Sequence, residues 1–107
     1  MYTRIVECHV KPGRKQEATA RMNGEILPIL QKQPGFVDMI ALIDEHDPER
    51  LVVLSFWTTK EDAERYHREH FSHVSDLLKP LLAAAPKVET FNLETWTTHR
   101  IAAGKAA

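Results

Sequence analysis

The chain has one thiol, Cys8, which excludes an internal disulfide and a cysteine-built zinc cluster of the usual spacing. A lone thiol within a strand reads as a small hydrophobe in a core. There is no Gly-rich loop of the kind that cradles phosphates, which removes the nucleotide-type cofactors. No apolar run approaches the ~18 residues of a membrane span. Met1-Tyr2-Thr3-Arg4 leads straight into a strand rather than into the apolar region of a signal peptide. A cytoplasmic protein with no membrane partner is the expectation. Charge of one sign is lacking too: 14 basic residues are scattered among 15 acidic ones, for a net charge of -1, so nothing forms a footprint for nucleic acid.

What is present suits an ordinary globular domain. At 107 residues, 43% hydrophobic and 27% charged, the chain is long enough for one core and too short for two. That single domain is expected over residues 1–100, with 101–107 a frayed tail too poor in apolar bulk to pack.

A first strand runs from Tyr2 to Val10, with Tyr2, Arg4, Val6, Cys8 and Val10 on one face and Ile5, Glu7 and His9 on the other. Lys11-Pro12-Gly13 ends it. Ala18, Met22, Ile26, Ile29 and Leu30 then recur at helical spacing between Arg14 and Gln33, and Pro28 predicts a kink or break near Gly24 to Leu27. Phe36 to Asp44 follows as a strand whose near-continuous apolar run, Met39 to Ile43, predicts cover on both faces. The polar turn Glu45 to Arg50 makes a hairpin with Leu51 to Trp57. Thr58 and Glu61 have capping-box spacing at the start of a second helix. It runs to about Leu82, with Pro80 weakening its last turn. A final long strand, rich in Thr, Phe and Trp, is predicted from Val88 to His99.

The order β-α-β-β-α-β predicts an α+β, ferredoxin-like split plan: a four-stranded antiparallel sheet with the helices on one face. The third strand is apolar on both sides, with Leu51, Val53 and Trp57 on one and Val52, Leu54 and Phe56 on the other. Something must cover the second side, and a second copy is the simplest candidate, so a homodimer with facing sheets is expected.

The second helix carries the sequence's most distinctive feature. Ala63, Tyr66, Phe71, Val74, Leu77, Leu78, Leu81 and Leu82 form an apolar stripe. At about 100° per residue, His70 falls near the middle of that stripe, and His67 and His73 fall on its flanks. An inward imidazole either completes a polar network or lines a cavity. No carboxylate or thiol clearly converges on the three histidines, which argues against a metal site. Imidazole is otherwise suited to act as a general base near neutrality.

Several short pieces, taken in order, resemble the antibiotic biosynthesis monooxygenase domains of the dimeric α+β barrel superfamily. They are Val10-Lys11-Pro12-Gly13, Leu30-Gln31-Lys32-Gln33-Pro34-Gly35-Phe36, Leu54-Ser55-Phe56-Trp57 with Glu61-Asp62-Ala63, and the helix through His70-Phe71. The likeness covers about residues 3 to 98. It implies a ferredoxin-like protomer and a dimer that forms a barrel from two sheets. The family is functionally mixed: cofactor-free oxygenases of polycyclic phenols, haem-degrading enzymes and a signal-molecule isomerase. Haem-degrading relatives carry an Asn, a Trp and a ligating His where this chain has Val6 or Glu7, Tyr66 and Asp76, so the resemblance implies that activity least.

The sequence thus suggests a cofactor-independent monooxygenase, using neither metal nor flavin, that acts on an aromatic or enolisable small molecule. His70 is the first choice as base and His67 the second, with Tyr66 and Trp57 positioning the substrate and donating to a developing oxyanion. Phe71, His73, Glu7 and Met39 complete the candidate binding residues. Each has a plainer role available: Trp57, Tyr66 and Phe71 as packing, Trp96 as a dimer anchor, and Glu7 with His9 as a satisfied carboxylate–imidazole pair. The alternatives to the oxygenase are a non-catalytic dimeric binding protein and an isomerase or haem-degrading relative on the same fold.

Overall fold

The computed structural model describes residues 1–97. The predicted end of the last strand at His99 and the frayed tail lie outside the described residues. The elements run β1 (Tyr2–His9), α1 (Lys15–Arg21), a π-helical turn (Met22–Ile26), α2 (Leu27–Gln31), β2 (Phe36–Ile43), β3 (Arg50–Trp57), α3 (Lys60–Leu78), a 3₁₀ turn (Lys79–Leu81) and β4 (Lys87–Asn92). The four strands form one antiparallel sheet in the order β2-β3-β1-β4. This is the α+β, ferredoxin-like arrangement that the sequence predicts.

Pro28 explains how the first helix is interrupted. It offers no N–H to a carbonyl one turn back. The chain takes up the mismatch as a π turn over Met22–Ile26 and resumes as α2 with the proline in its first turn. Register then sorts side chains between the two faces of the sheet. Tyr2, Arg4, Val6 and Cys8 of β1 lie beside Trp57, Ser55, Val53 and Leu51 of β3, and this face carries the core with Ala18, Met22, Ile26, Leu30, Tyr66, Val74 and Leu78 from the helices. Ile5 and Glu7 share the other face with Leu54 and Val52.

Two expectations are corrected. The cap of α3 lies one residue later than the predicted box: Thr59 Oγ1 accepts from the Asp62 N–H at 3.1 Å. The Asp62 carboxylate in turn accepts from both Thr59 and Thr58 hydroxyls, at 2.9 and 3.1 Å, so Glu61 has no part in the cap. The last strand stops at Asn92, well short of the predicted end, because its partner β1 runs out. Asn92 pairs with Tyr2, and Leu93 makes a last backbone bond to the carbonyl of Met1. Within the protomer β2 is an edge strand on which Ile40, Leu42 and Ile43 are exposed, as is Phe91 of β4. No helix among the described residues is long and apolar enough to cross a membrane.

Candidate active site

The helices do not cover the sheet evenly. α3 packs on β1 and β3, and beside its first half a cleft of about 350 Å³ remains, lined by Tyr2 and Arg4 of β1, Ala63, Glu64, His67 and Arg68 of α3, and Val88 and Thr90 of β4. Residues 64, 67 and 68 share a helix face at i, i+3 and i+4. That spacing turns the carboxylate, the imidazole and the guanidinium toward one opening.

Arg4 forms the inner wall. It is one of the most buried side chains, 2% exposed, and no carboxylate among the described residues pairs with it. Its guanidinium lies over the ring of Tyr66 at 5.1 Å and over that of Phe71 at 4.8 Å, two cation–π contacts in a desolvated setting. One amino group, Nη2, lies 3.1 Å from His67 Nδ1. The other, Nη1, is buried without a hydrogen-bond partner among the described residues. Arg4 also lines a second cavity of about 40 Å³, deeper between helices and sheet, with Tyr66, Phe71 and Val74. Burial pulls the guanidinium's pKa below its ordinary value, with Tyr66 and Tyr2 opposing. A guanidinium starts so high that it remains a cation.

The contact with Arg4 fixes the chemistry of His67. A guanidinium has only donors, so Nδ1 must be the acceptor and the proton of the neutral ring sits on Nε2. Desolvation and the Arg4 charge both lower the His67 pKa, which favours that neutral form. Its ring stacks on Phe71 at 5.0 Å. Tyr66, 4% exposed, lies stacked against Trp57 at 5.1 Å, and burial pushes its phenol up to about 12, so it stays protonated throughout the neutral range.

The residues expected at the site are thus divided. Tyr66, His67 and Phe71 gather around Arg4. Trp57 belongs to the same cluster but is fully buried, with its indole N–H donating to Ser55 Oγ at 3.0 Å, and it does not line the cleft. His70 is not central to the core: its side chain is 37% exposed, it stands 4.0 Å from Glu69, and it does not line the cleft. His73 is exposed. Helical periodicity names a face of α3 without saying how far the neighbouring layer extends beneath it. Met39 packs at the margin of the core on β2. Glu7 lies on the far face of the sheet, where it pairs with Arg50 and, at 3.7 Å, with His9. Among the described residues no three His, Cys, Asp or Glu side chains gather to hold a metal ion.

Sequence reasoning missed Arg4, although the signal was there: it is the one charged residue on the otherwise apolar alternation Tyr2, Val6, Cys8, Val10.

The chain matches the family model for antibiotic biosynthesis monooxygenases over residues 1–77. No curated protein matches it. Among solved structures it is similar to a Bordetella bronchiseptica protein named for the same family, at a TM-score of 0.78 and 18% identity over 88% of this chain and 97% of that one. A Nitrosomonas europaea protein named likewise is 28% identical, at a TM-score of 0.66 over 86% and 97%. A monooxygenase of Streptomyces coelicolor, solved in complex with nanaomycin D, is 15% identical, at a TM-score of 0.76 over 89% and 88%.

Proposed function

The chain belongs to the antibiotic biosynthesis monooxygenase family, and from that premise we propose that it is a cofactor-independent monooxygenase acting on a phenolic or otherwise enolisable small molecule. The observation that carries this reading is the cleft itself, where a neutral imidazole and a buried guanidinium lie 3.1 Å apart in an opening that Tyr2 also lines. A cleft of about 350 Å³ has room for a small ring compound, and the polar pair meets its oxygen. The Streptomyces neighbour, a monooxygenase solved in complex with nanaomycin D, supports a small-molecule substrate.

Oxygenation without a metal or flavin needs an electron-rich anion that reacts with dioxygen directly. For an anthrone-like ring, the ionised carbon adds oxygen to give a hydroperoxide, which loses water to leave a carbonyl. One oxygen atom ends in the product and the other in water, and the ring CH₂ supplies all the electrons. His67 is the histidine of α3 that lines the cleft and can touch a substrate there. Tyr66 and Phe71 hold the Arg4 guanidinium in place from outside the cleft, with their rings against it.

The functional unit is a homodimer with sheets packed face to face. Ile40, Leu42 and Phe91 leave apolar area on the face opposite the helices, which supports that assembly.

An oxygen electrode and a panel of hydroxylated anthrones and quinols test the activity. Uptake of one dioxygen per molecule of substrate is expected, with His67→Ala lowering turnover by about 10²- to 10³-fold, as loss of a donor at an oxyanion does, and His70→Ala leaving it within a few-fold. Saturable binding without uptake across the panel would show a binding protein instead.

A further inference from the structure

A buried cation with an idle donor is rare, because an unpaired charge in a desolvated position costs the fold stability. Arg4 is such a cation. Stacking on Tyr66 and Phe71 satisfies the faces of its guanidinium, and His67 occupies one amino group. Nη1 is left over, with no partner among the described residues. Packing alone gives no reason to keep it, since a methionine would fill similar space without the charge.

We infer that Arg4 is an anion anchor, and that the cleft takes its ligand as an oxyanion, the phenolate or enolate of the reacting group, received by the Arg4 guanidinium and by the Nε2–H of a neutral His67. The inference rests on the oxygenase reading for the identity of the reacting group, but its chemistry is that of charge and can be measured apart from turnover. His67 is then a donor and not the base. Its lone pair at Nδ1 is committed to Arg4, and the site ionises the substrate by holding the anion while the substrate's proton passes to solvent water at the cleft opening rather than into the ring.

The other charged and titratable groups around the cleft are consistent with an anionic occupant. Arg68 lines it and has no ion pair among the described residues, whereas Glu64, the one carboxylate there, lies 4.0 Å from Lys60. Tyr2 contributes a phenol, and β4 brings only Val88 and Thr90. Because Arg4 is shielded from water, its field on an anion is screened little by salt.

The probe is 4-nitrophenol, whose ionisation near neutral pH is read directly from its absorbance and which has no ring CH₂ to oxygenate. With protein in excess, the apparent pKa of the bound probe is expected to fall by about one unit or more, a tenfold or greater preference for the phenolate. Arg4→Met should abolish the shift and Arg4→Lys should retain part of it. The Arg4→Met variant should also melt at or above the parent's temperature, since it removes an uncompensated buried charge. A structural arginine predicts the reverse, a lower melting temperature with the probe's shift unchanged in whatever protein stays folded. The inference is overturned if the parent does not bind the probe at millimolar concentration, if the bound probe's pKa is unchanged or raised, or if Arg4→Met or Arg4→Lys leaves the shift intact. The two readings can fail separately. A nitrophenol shift without oxygen uptake on any substrate keeps the anchor and removes the oxygenase. Undiminished uptake in folded Arg4→Met keeps the oxygenase and removes the anchor.

Discussion

Cys8, one pleat-pair along β1 from Val6, shows what burial does to a residue that takes no part in the cleft. It is 1% exposed, and desolvation raises its thiol from 9.0 to about 11. The folded chain therefore holds the proton where the unfolded chain has lost it. The stability this contributes is complete below pH 9 and is lost as the pH rises from 9 to about 11. Denaturant titrations at stepped alkaline pH should show that decline. Cys8→Ala should remove its lower part at a fixed cost of about 1 kcal/mol for the small void. The decline that remains above pH 10 belongs to Tyr66, whose phenol is raised from 10.0 to about 12. A thiol reagent at pH 8 should modify Cys8 only as fast as the protein unfolds. Arg4 stands two pleats away on the same face and differs in kind, because no pH in the working range can neutralise it.

At the level of elements, the junction between β3 and α3 fixes where the cleft-lining helix begins. Thr59 and Asp62 cap one another there, and Gly35, at φ +79°, lies so close that a Cβ would run into the Asp62 carboxylate. Thr59→Ala should cost about 1 kcal/mol in chemical denaturation, whereas Glu61→Ala should cost little, which separates the observed cap from the one-residue-earlier box that the sequence suggested. Gly35→Ala should cost about 1 kcal/mol or more, because it combines a left-handed backbone with a steric clash at the cap. The π turn makes a contrasting case. A proline inside an unbroken helix costs about 3 kcal/mol, but Pro28 sits in the first turn of α2, after a turn already rewound around it. Replacing it with alanine should change stability by less than about 1 kcal/mol.

Across the whole molecule the two faces of the sheet have different duties. Val53 points into the helix-covered core and is 7% exposed, so Val53→Asp should prevent folding, leaving no cooperative transition by circular dichroism. Leu42 is 49% exposed on the other face. Leu42→Asp should leave a folded protomer and shift sedimentation from dimer to monomer. If the parent already sediments as a monomer at micromolar concentration, the facing-sheet dimer is refuted and the exposed apolar row needs another occupant.

The amino-acid sequence carries the order of elements, the hairpin, the break near Pro28 and the two-sided apolar character of β3. Those features are local: they follow from periodicity, punctuation and the missing proline N–H, which act over a few residues. It also carried the family's scattered signature, because order and spacing survive where single pieces are degenerate. The end of β4 is set by the folded sheet, since a strand lasts as long as its partner and β1 begins at Tyr2. The fold also sets the histidines apart, because of the three only His67 lines the cleft beside Val88 and Thr90 of β4, a gap that no helical wheel contains. And it alone gave Arg4 its significance. From sequence the residue is one charge on an apolar strand face; the fold surrounds it with Tyr66, Phe71 and His67, residues more than sixty positions away, and pairs it with no carboxylate among the described residues. Burial and the absence of a counter-charge are properties of what folds around a residue, so they are settled only when distant segments meet.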